Sequence, residues 1–73
     1  MSRPGISSDV RVPRLRDHRL NRAMSQDELA SKSGVSRSRI IKLEAGGQAW
    51  PKTVGKLARA LRVSVADLRE EHP

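Results

Sequence analysis

The chain of 73 residues contains no cysteine, no phenylalanine and no tyrosine, and Trp50 is its single aromatic residue. The absence of cysteine excludes disulfide bonds and thiolate metal sites, and it suits a reducing compartment. No apolar run reaches the length of a transmembrane helix, and no hydrophobic signal segment is visible. We therefore expect a single cytoplasmic domain whose core is aliphatic and, at this length, small.

Acidic residues are scarce as well. Fifteen Lys and Arg residues against eight Asp and Glu residues give a formal charge of +7. This balance favours a polyanionic partner, with double-stranded DNA as the first candidate. Binding to an anionic membrane is the alternative, but the chain lacks the large apolar helix face and the aromatic anchors which that requires, so no membrane partner is expected.

Catalytic and metal-binding patterns are also missing. Only His18 and His72 could act as bases at neutral pH, and neither lies near a patterned nucleophile or acid. Two histidines far apart in sequence and without cysteine do not form a metal site. The sequence therefore predicts neither an enzyme nor a bound cofactor.

The most informative segment is residues 26–44, which predicts two short helices joined by a tight turn. Ser25 is a suitable N-cap, Glu28 completes a capping box three residues later, and Gly34 can end the helix in the left-handed conformation. Ser36 then caps a second helix almost at once. Two helices with so little chain between them must cross at a steep angle.

The second helix, about Ser36–Ala45, has two chemically different faces. At about 100° per residue, Ser36, Ile40 and Leu43 share one side, which we expect to pack. The opposite side and its flank carry mostly cationic and hydroxyl side chains, namely Arg37, Ser38, Arg39, Ile41 and Lys42. Such a face suits the major groove of DNA, although a merely solvated helix surface is the alternative. Ile41 could contact a thymine methyl group or simply be exposed.

The rest of the chain predicts three further helices and no strand. The first covers about residues 13–22, with Pro13 in its opening turn, and another covers about 53–61 after Pro51. Ser64 caps the last helix, with Asp67 at the capping-box position. The predicted fold is therefore all-α with five helices.

These helices define a domain of residues 13–70. Residues 71–73 are expected to fray, and residues 1–12 carry Pro, Gly and Ser without periodicity and are expected to form a flexible arm. The arm is either an untethered terminus or, through Arg3 and Arg11, a basic extension along DNA. The predicted core of the domain is aliphatic: Leu15, Leu20, Leu29, Ala30, Val35, Ile40, Leu43, Val54, Leu57, Ala58, Leu61, Val63, Val65 and Leu68.

The segments SQDELA, SGVSRSRIIKLEAG, WP and LARALRVSVADL resemble the phage repressor/Cro (XRE-like) family of helix-turn-helix DNA-binding proteins. The resemblance covers about residues 15–68. It implies a compact five-helix domain of the lambda-repressor-like type. It also implies a transcription regulator that binds a pseudo-palindromic operator as a homodimer.

The resemblance implies roles for particular residues. Gln26 would anchor a phosphate, and Arg37, Ser38 and Lys42 would reach base edges. The second helix, about Ser36–Ala45, would be the recognition helix that enters the groove. Further phosphate contacts would come from the loop after it and from the start of the next helix, that is from Gln48, Trp50, Lys52 and Thr53. Arg19 and Glu44 would form a buried structural ion pair. The dimer contact would lie around Arg59, Arg62, Val63 and Ser64.

Three points differ from the family or stay open. Ala23 and Arg62 stand where the family often has glycine, so we expect those helix ends to close differently. Trp50 could contact DNA, a partner subunit or only its neighbour Pro51. The alternative function is that of an antitoxin or another module that binds a partner protein with the same domain; a restriction-modification controller is a third possibility.

Overall fold

The computed structural model describes residues 10–69, which form five α-helices and two short β-strands. The helices are α1 (Leu15–Asn21), α2 (Gln26–Ser33), α3 (Arg37–Glu44), α4 (Pro51–Leu61) and α5 (Val65–Arg69). The strands are β1 (Val10–Arg11) and β2 (Gln48–Ala49). No helix in this part of the chain is both long and apolar enough to cross a membrane. The five predicted helices are confirmed.

The local signals around α2 and α3 act as the sequence predicted. The Ser25 hydroxyl accepts the Glu28 N–H at 3.0 Å, and the Glu28 carboxylate accepts the Ser25 N–H at 2.8 Å. Gly34 ends α2 with φ +79°, and its N–H donates to the Ala30 carbonyl at 2.9 Å. The Ser36 hydroxyl caps α3 by accepting the Arg39 N–H at 3.2 Å. Both helix starts and the end of α2 are therefore fixed by contacts within four residues.

Of the last two helices, α4 begins earlier than predicted and α5 begins where predicted. Helix α4 begins at Pro51 rather than near Thr53, because proline lacks the N–H that a first turn cannot use. The predicted capping box of α5 is present. The Ser64 hydroxyl accepts the Asp67 N–H, and the Asp67 carboxylate accepts the Ser64 N–H, both at 3.0 Å. These hydrogen bonds hold the pKa of the Asp67 carboxyl below its usual value.

The core is aliphatic, as predicted, with two errors and two omissions. Its buried members are Val12, Leu15, Leu29, Val35, Ile40, Leu43, Ala49, Val54, Leu57, Ala58, Leu61 and Leu68, with Ala30 and Val63 packed against them. Leu20 is 52% exposed because Arg19, one turn after Leu15, takes the inward position of α1. Val65 is 37% exposed at the first position of α5, a short helix that buries only Leu68.

The two omitted core residues are Ala49, which lies in a small antiparallel sheet, and Val12, which directly follows its first strand. In its register Val10 pairs with Ala49 and Arg11 with Gln48. Val12 follows β1 and is 2% exposed, and its carbonyl accepts the Leu15 N–H at 3.0 Å just before α1 begins. The prediction of no strand is therefore wrong. Residues 10–12 belong to the folded domain and not to a flexible arm, and α1 begins at Leu15, two residues after Pro13. Residues 1–9 and 70–73, which include the rest of the predicted arm and the predicted frayed end, lie outside the described residues.

Two helices end at residues that are unfavourable for the conformation they adopt. Ala23 and Arg62 have φ values of +56° and +60°. The Met24 N–H reaches back to the Arg19 carbonyl at 3.1 Å after α1, and the Val63 N–H reaches the Ala58 carbonyl at 3.0 Å after α4. This is the closure that glycine usually makes, so the expectation of a different helix end is wrong. Each position instead carries about 1 kcal/mol of backbone strain.

Replacing Arg62 with glycine should therefore stabilise the domain. We expect R62G to raise the free energy of unfolding by about 0.5–1 kcal/mol, since the strain is relieved although the unfolded chain gains freedom. The matched control is R59G, because Arg59 is also an exposed arginine but lies inside α4. That change should lower the free energy of unfolding by about 1 kcal/mol. Urea titration monitored by circular dichroism measures the free energy of unfolding of each variant. Destabilisation of equal size by the two changes would contradict the claim that the backbone at Arg62 is strained.

Candidate nucleic-acid interface

Helix α3 presents one face to solvent and buries the other. Ile40 and Leu43 are 0% and 1% exposed. Its outward residues are all exposed: Arg37, Ser38, Arg39, Ile41 and Lys42. Ser36, which we had placed on the packing side, is exposed too, because its side chain caps the helix. The outward face therefore carries three cations with no acidic residue among them.

A buried ion pair fixes the end of α3 against α1. Arg19 Nε lies 2.6 Å from Glu44 Oε2, and Arg19 Nη2 donates to Glu44 Oε1 at 3.0 Å. The third guanidinium nitrogen, Nη1, donates to the Met24 carbonyl at 2.8 Å. The two side chains are only 9% and 7% exposed. Planar two-point contact of this kind sets the orientation of both groups as well as their distance.

The electrostatics of this pair keep both groups charged. Burial raises the pKa of the Glu44 carboxyl, but the hydrogen bonds from Arg19 and Gln26 and the positive charges of Arg19 and Arg16 outweigh it. The pKa of Glu44 consequently lies below its ordinary value of 4.5. The hydrogen bond to Glu44 likewise raises the pKa of Arg19.

Gln26, the first residue of α2, joins this pair to the surface. Its Nε2 donates to Glu44 Oε1 at 3.1 Å. Beside it a cleft of about 390 Å³ opens between α1, α2 and α3; its lining includes Arg16, Gln26, Asp27 and Arg37. Sequence reasoning missed Arg16. The available signal was its spacing of three residues from Arg19, which places both on adjacent positions of one helix face.

Two further clefts flank α3 on the side of β2 and α4. One of about 160 Å³ brings Ser38, Arg39 and Lys42 together with Gln48 of β2. The other, of about 350 Å³, brings Arg39 together with residues of α4 and its cap: Trp50, Thr53 and Lys56. Of the remaining predicted residues, Lys52 and Ile41 are exposed but line none of these three clefts. Lys56 was not among the predicted site residues, although it lies one turn after Lys52.

The turn between α3 and β2 shapes the cleft of about 160 Å³ that Lys42 and Gln48 line. Gly46 has φ +103°, and the Gly47 N–H donates to the Lys42 carbonyl at 2.8 Å. A side chain at Gly47 would place its Cβ only 2.8 Å from that carbonyl oxygen, so the close approach requires glycine. Gln48 is thereby brought next to Lys42.

Trp50 stands at the N-cap position of α4 and is 44% exposed. Its side chain provides no capping hydrogen bond, and the first turn of α4 contains no acidic residue. Lys52 lies in this first turn, so its positive charge adds to the positive end of the helix dipole. Such an arrangement attracts an anion. Within residues 10–69 no three side chains gather that could hold a metal ion.

The sequence matches the family model described as "Helix-turn-helix" over residues 15–68. The chain belongs to this helix-turn-helix family, whose members are DNA-binding regulators rather than enzymes. No curated protein sequence matches the chain significantly.

Two solved structures resemble the chain. One is the master regulator for biofilm formation SinR in complex with DNA, with 29% identity and a TM-score of 0.73 over 78% of this chain and 94% of that chain. The other is a hypothetical transcription factor, NHTF from Neisseria, with 26% identity and a TM-score of 0.69 over 96% of this chain and 87% of that one. Both likenesses support the lambda-repressor-like five-helix fold.

The buried pair predicts a specific dependence of stability on pH. Because the pKa of Glu44 is lowered in the folded protein, its stabilising contribution is complete above pH 4.5 and is lost as the pH falls through the folded pKa. We expect E44Q to lower the free energy of unfolding at pH 7 by about 3 kcal/mol and to flatten its decline in acid. Urea titrations between pH 7 and pH 2 measure this.

The control for this experiment is D17N, which removes an exposed carboxylate of α1 that pairs with Arg14, the N-cap residue of that helix. It should change stability at pH 7 by less than about 1 kcal/mol. If E44Q is too unstable to titrate, the double variant R19L/E44M removes both charges and should regain most of the stability. An E44Q protein as stable as D17N at pH 7 would contradict the importance of the pair.

Proposed function

We propose that the chain is a sequence-specific transcription regulator that binds double-stranded DNA with α3 in the major groove. The observation that carries this proposal is the division of α3 into a buried face and an exposed face with three cations. An α-helix fits the width of the groove, and its outward side chains then meet the base edges. Such a regulator is expected to reside with the nucleoid in the cytoplasm.

The base-reading residues are Arg37, Ser38 and Lys42. All three are exposed on α3, and Arg and Lys are the usual partners of guanine O6 and N7. Ile41, 42% exposed on the same helix, is the candidate for contact with a thymine methyl group. These contacts supply discrimination between sequences.

Contacts to phosphates come from both sides of α3. One hydrogen of the Gln26 amide is committed to Glu44, which fixes the side chain and leaves the second hydrogen for a phosphate oxygen. On the other side, Lys52 and Thr53 belong to the first turn of α4 and Trp50 stands at its N-cap position. Arg39 and Gln48 line the clefts beside α3. These contacts position the protein but do not read sequence.

The protein is proposed to act as a homodimer through the region of α4 and α5. A single recognition helix buries too little surface for both affinity and selectivity. Arg59, Arg62 and Ser64 are exposed there, and Val63 is partly buried. Like charges facing each other across a two-fold axis repel. The dimer is therefore expected to assemble mainly on an operator with two half-sites.

The roles assigned to individual residues can be separated by binding measurements. Selection from a random duplex library at physiological salt supplies the operator. R37A and K42A should weaken operator binding by about 1–3 kcal/mol and relax selectivity, while K52A should weaken binding to operator and random duplexes alike. R22A, which removes an exposed arginine at the C-cap of α1, away from the three clefts and from the proposed dimer contact, is the control for net charge. Equal losses on both duplexes for all of these variants would refute the assignment.

The oligomeric state needs a separate measurement. Sedimentation of the protein alone and with an operator duplex should show two chains per duplex and a weaker or absent dimer without DNA. One chain per duplex at saturation would contradict the homodimer. Co-purification of the native protein with a second polypeptide would instead favour the antitoxin interpretation.

A further inference from the structure

An exposed ion pair connects the two helices of the motif on their outward side. Asp27, in the first turn of α2, places Oδ1 3.4 Å from Nε of Arg37, the first residue of α3. The carboxylate side chain is 77% exposed and the guanidinium side chain 58% exposed. Both residues line the cleft between α1, α2 and α3. The only other carboxylate there is Glu44, which is bonded to Arg19.

The geometry of this contact matters for what Arg37 can still bind. A guanidinium carries five N–H groups, one on Nε and four on its terminal nitrogens. Asp27 approaches the inner nitrogen, Nε, and no hydrogen bond to residues 10–69 occupies Nη1 or Nη2 of Arg37. The two terminal nitrogens can therefore meet a pair of acceptors end-on. Guanine offers such a pair, O6 and N7, in the major groove.

We propose that Asp27 is a specificity-determining positioning residue: it holds Arg37 through Nε, so that Arg37 reads guanine end-on with its two terminal nitrogens. This inference rests on the proposed function, because it assumes that Arg37 faces a base. The inference adds to that function the base that Arg37 reads, guanine, and the residue that selects it, Asp27. Without Asp27 the long arginine side chain could turn to a neighbouring phosphate instead.

The charge of Asp27 acts in the same direction. Its carboxylate repels phosphate oxygens, and it lies beside Nε, the nitrogen that Arg37 would need for a side-on grip of a phosphate. The neutral edge of guanine does not suffer this repulsion. Asp27 thus weakens contacts that any sequence offers more than it weakens the contact with guanine, which is how a repulsive group raises selectivity.

The test compares D27N with D17N. Both changes remove one exposed carboxylate that is paired with an arginine, but Asp17 lies in the first turn of α1 and pairs with the N-cap residue Arg14, outside the three clefts. Dissociation constants are measured at one salt concentration for three duplexes. These are the selected operator, the operator with its Arg37-contacted guanine pair replaced, and a random sequence. R37A identifies that base pair, because its affinity is insensitive to the replacement.

We expect D27N to bind the random duplex about threefold more tightly and to lose about fivefold of its preference for guanine at that one position, the scale of an exposed ion pair. D17N should change the dissociation constants for all three duplexes by a similar factor and keep the preference for guanine. Thermal unfolding checks that both variants are folded to the same extent as the parent protein.

An unchanged guanine preference in D27N would overturn the inference while leaving the proposed function intact, provided that R37A still abolishes that preference. If D27N and D17N changed the dissociation constants of all three duplexes by the same factor, the inference would also be overturned, because the effect would then come from net charge alone. A parent protein that selects no sequence from the library, or that keeps its preference in R37A, would overturn the base-reading role of Arg37 and this inference with it.

Discussion

The buried contact between Arg19 and Glu44 is the constraint on which the DNA-binding surface depends. It joins α1 to the last residue of α3, and both side chains are less than a tenth exposed. A buried ion pair adds little net stability compared with well-packed apolar residues, yet losing one partner is costly. The contribution of this ion pair is to fix the orientation of α3 against α1. Two parallel hydrogen bonds and a third to the Met24 carbonyl allow one orientation of α3 against α1, whereas aliphatic packing would allow several.

The same contact extends to the protein surface through short steps. Glu44 Oε1 also accepts a hydrogen bond from Gln26, whose chain neighbour Asp27 contacts Arg37. Thus the first outward residue of α3 is linked to a pair in the core, and the supporting side chains are held before DNA arrives. Binding groups that are fixed in this way lose less conformational freedom when the partner binds.

The sequence predicted those helix ends that are fixed by hydrogen bonds between residues close together in the chain. The caps at Ser25, Ser36 and Ser64 involve residues three positions away, so the starts of α2, α3 and α5 could be predicted. The pairing of Val10 with Ala49 could not, because two-residue strands show no alternation and their partner is far along the chain. Arg16 and Lys56 escaped prediction for a related reason: the clefts they line exist only once helices cross. Arg62 shows that tertiary packing can override backbone preference.

The charge distribution links the free protein to its bound state. The face of α3 and the start of α4 place several cations together with Asp27 as the main exposed acid, and their mutual repulsion destabilises the free domain. The core that opposes this repulsion contains no aromatic ring among its buried members. A DNA backbone removes the repulsion on binding, so association with DNA stabilises the fold beyond the contacts themselves. In the free protein the surface is therefore under electrostatic strain, and Asp27 relieves part of it beside Arg37.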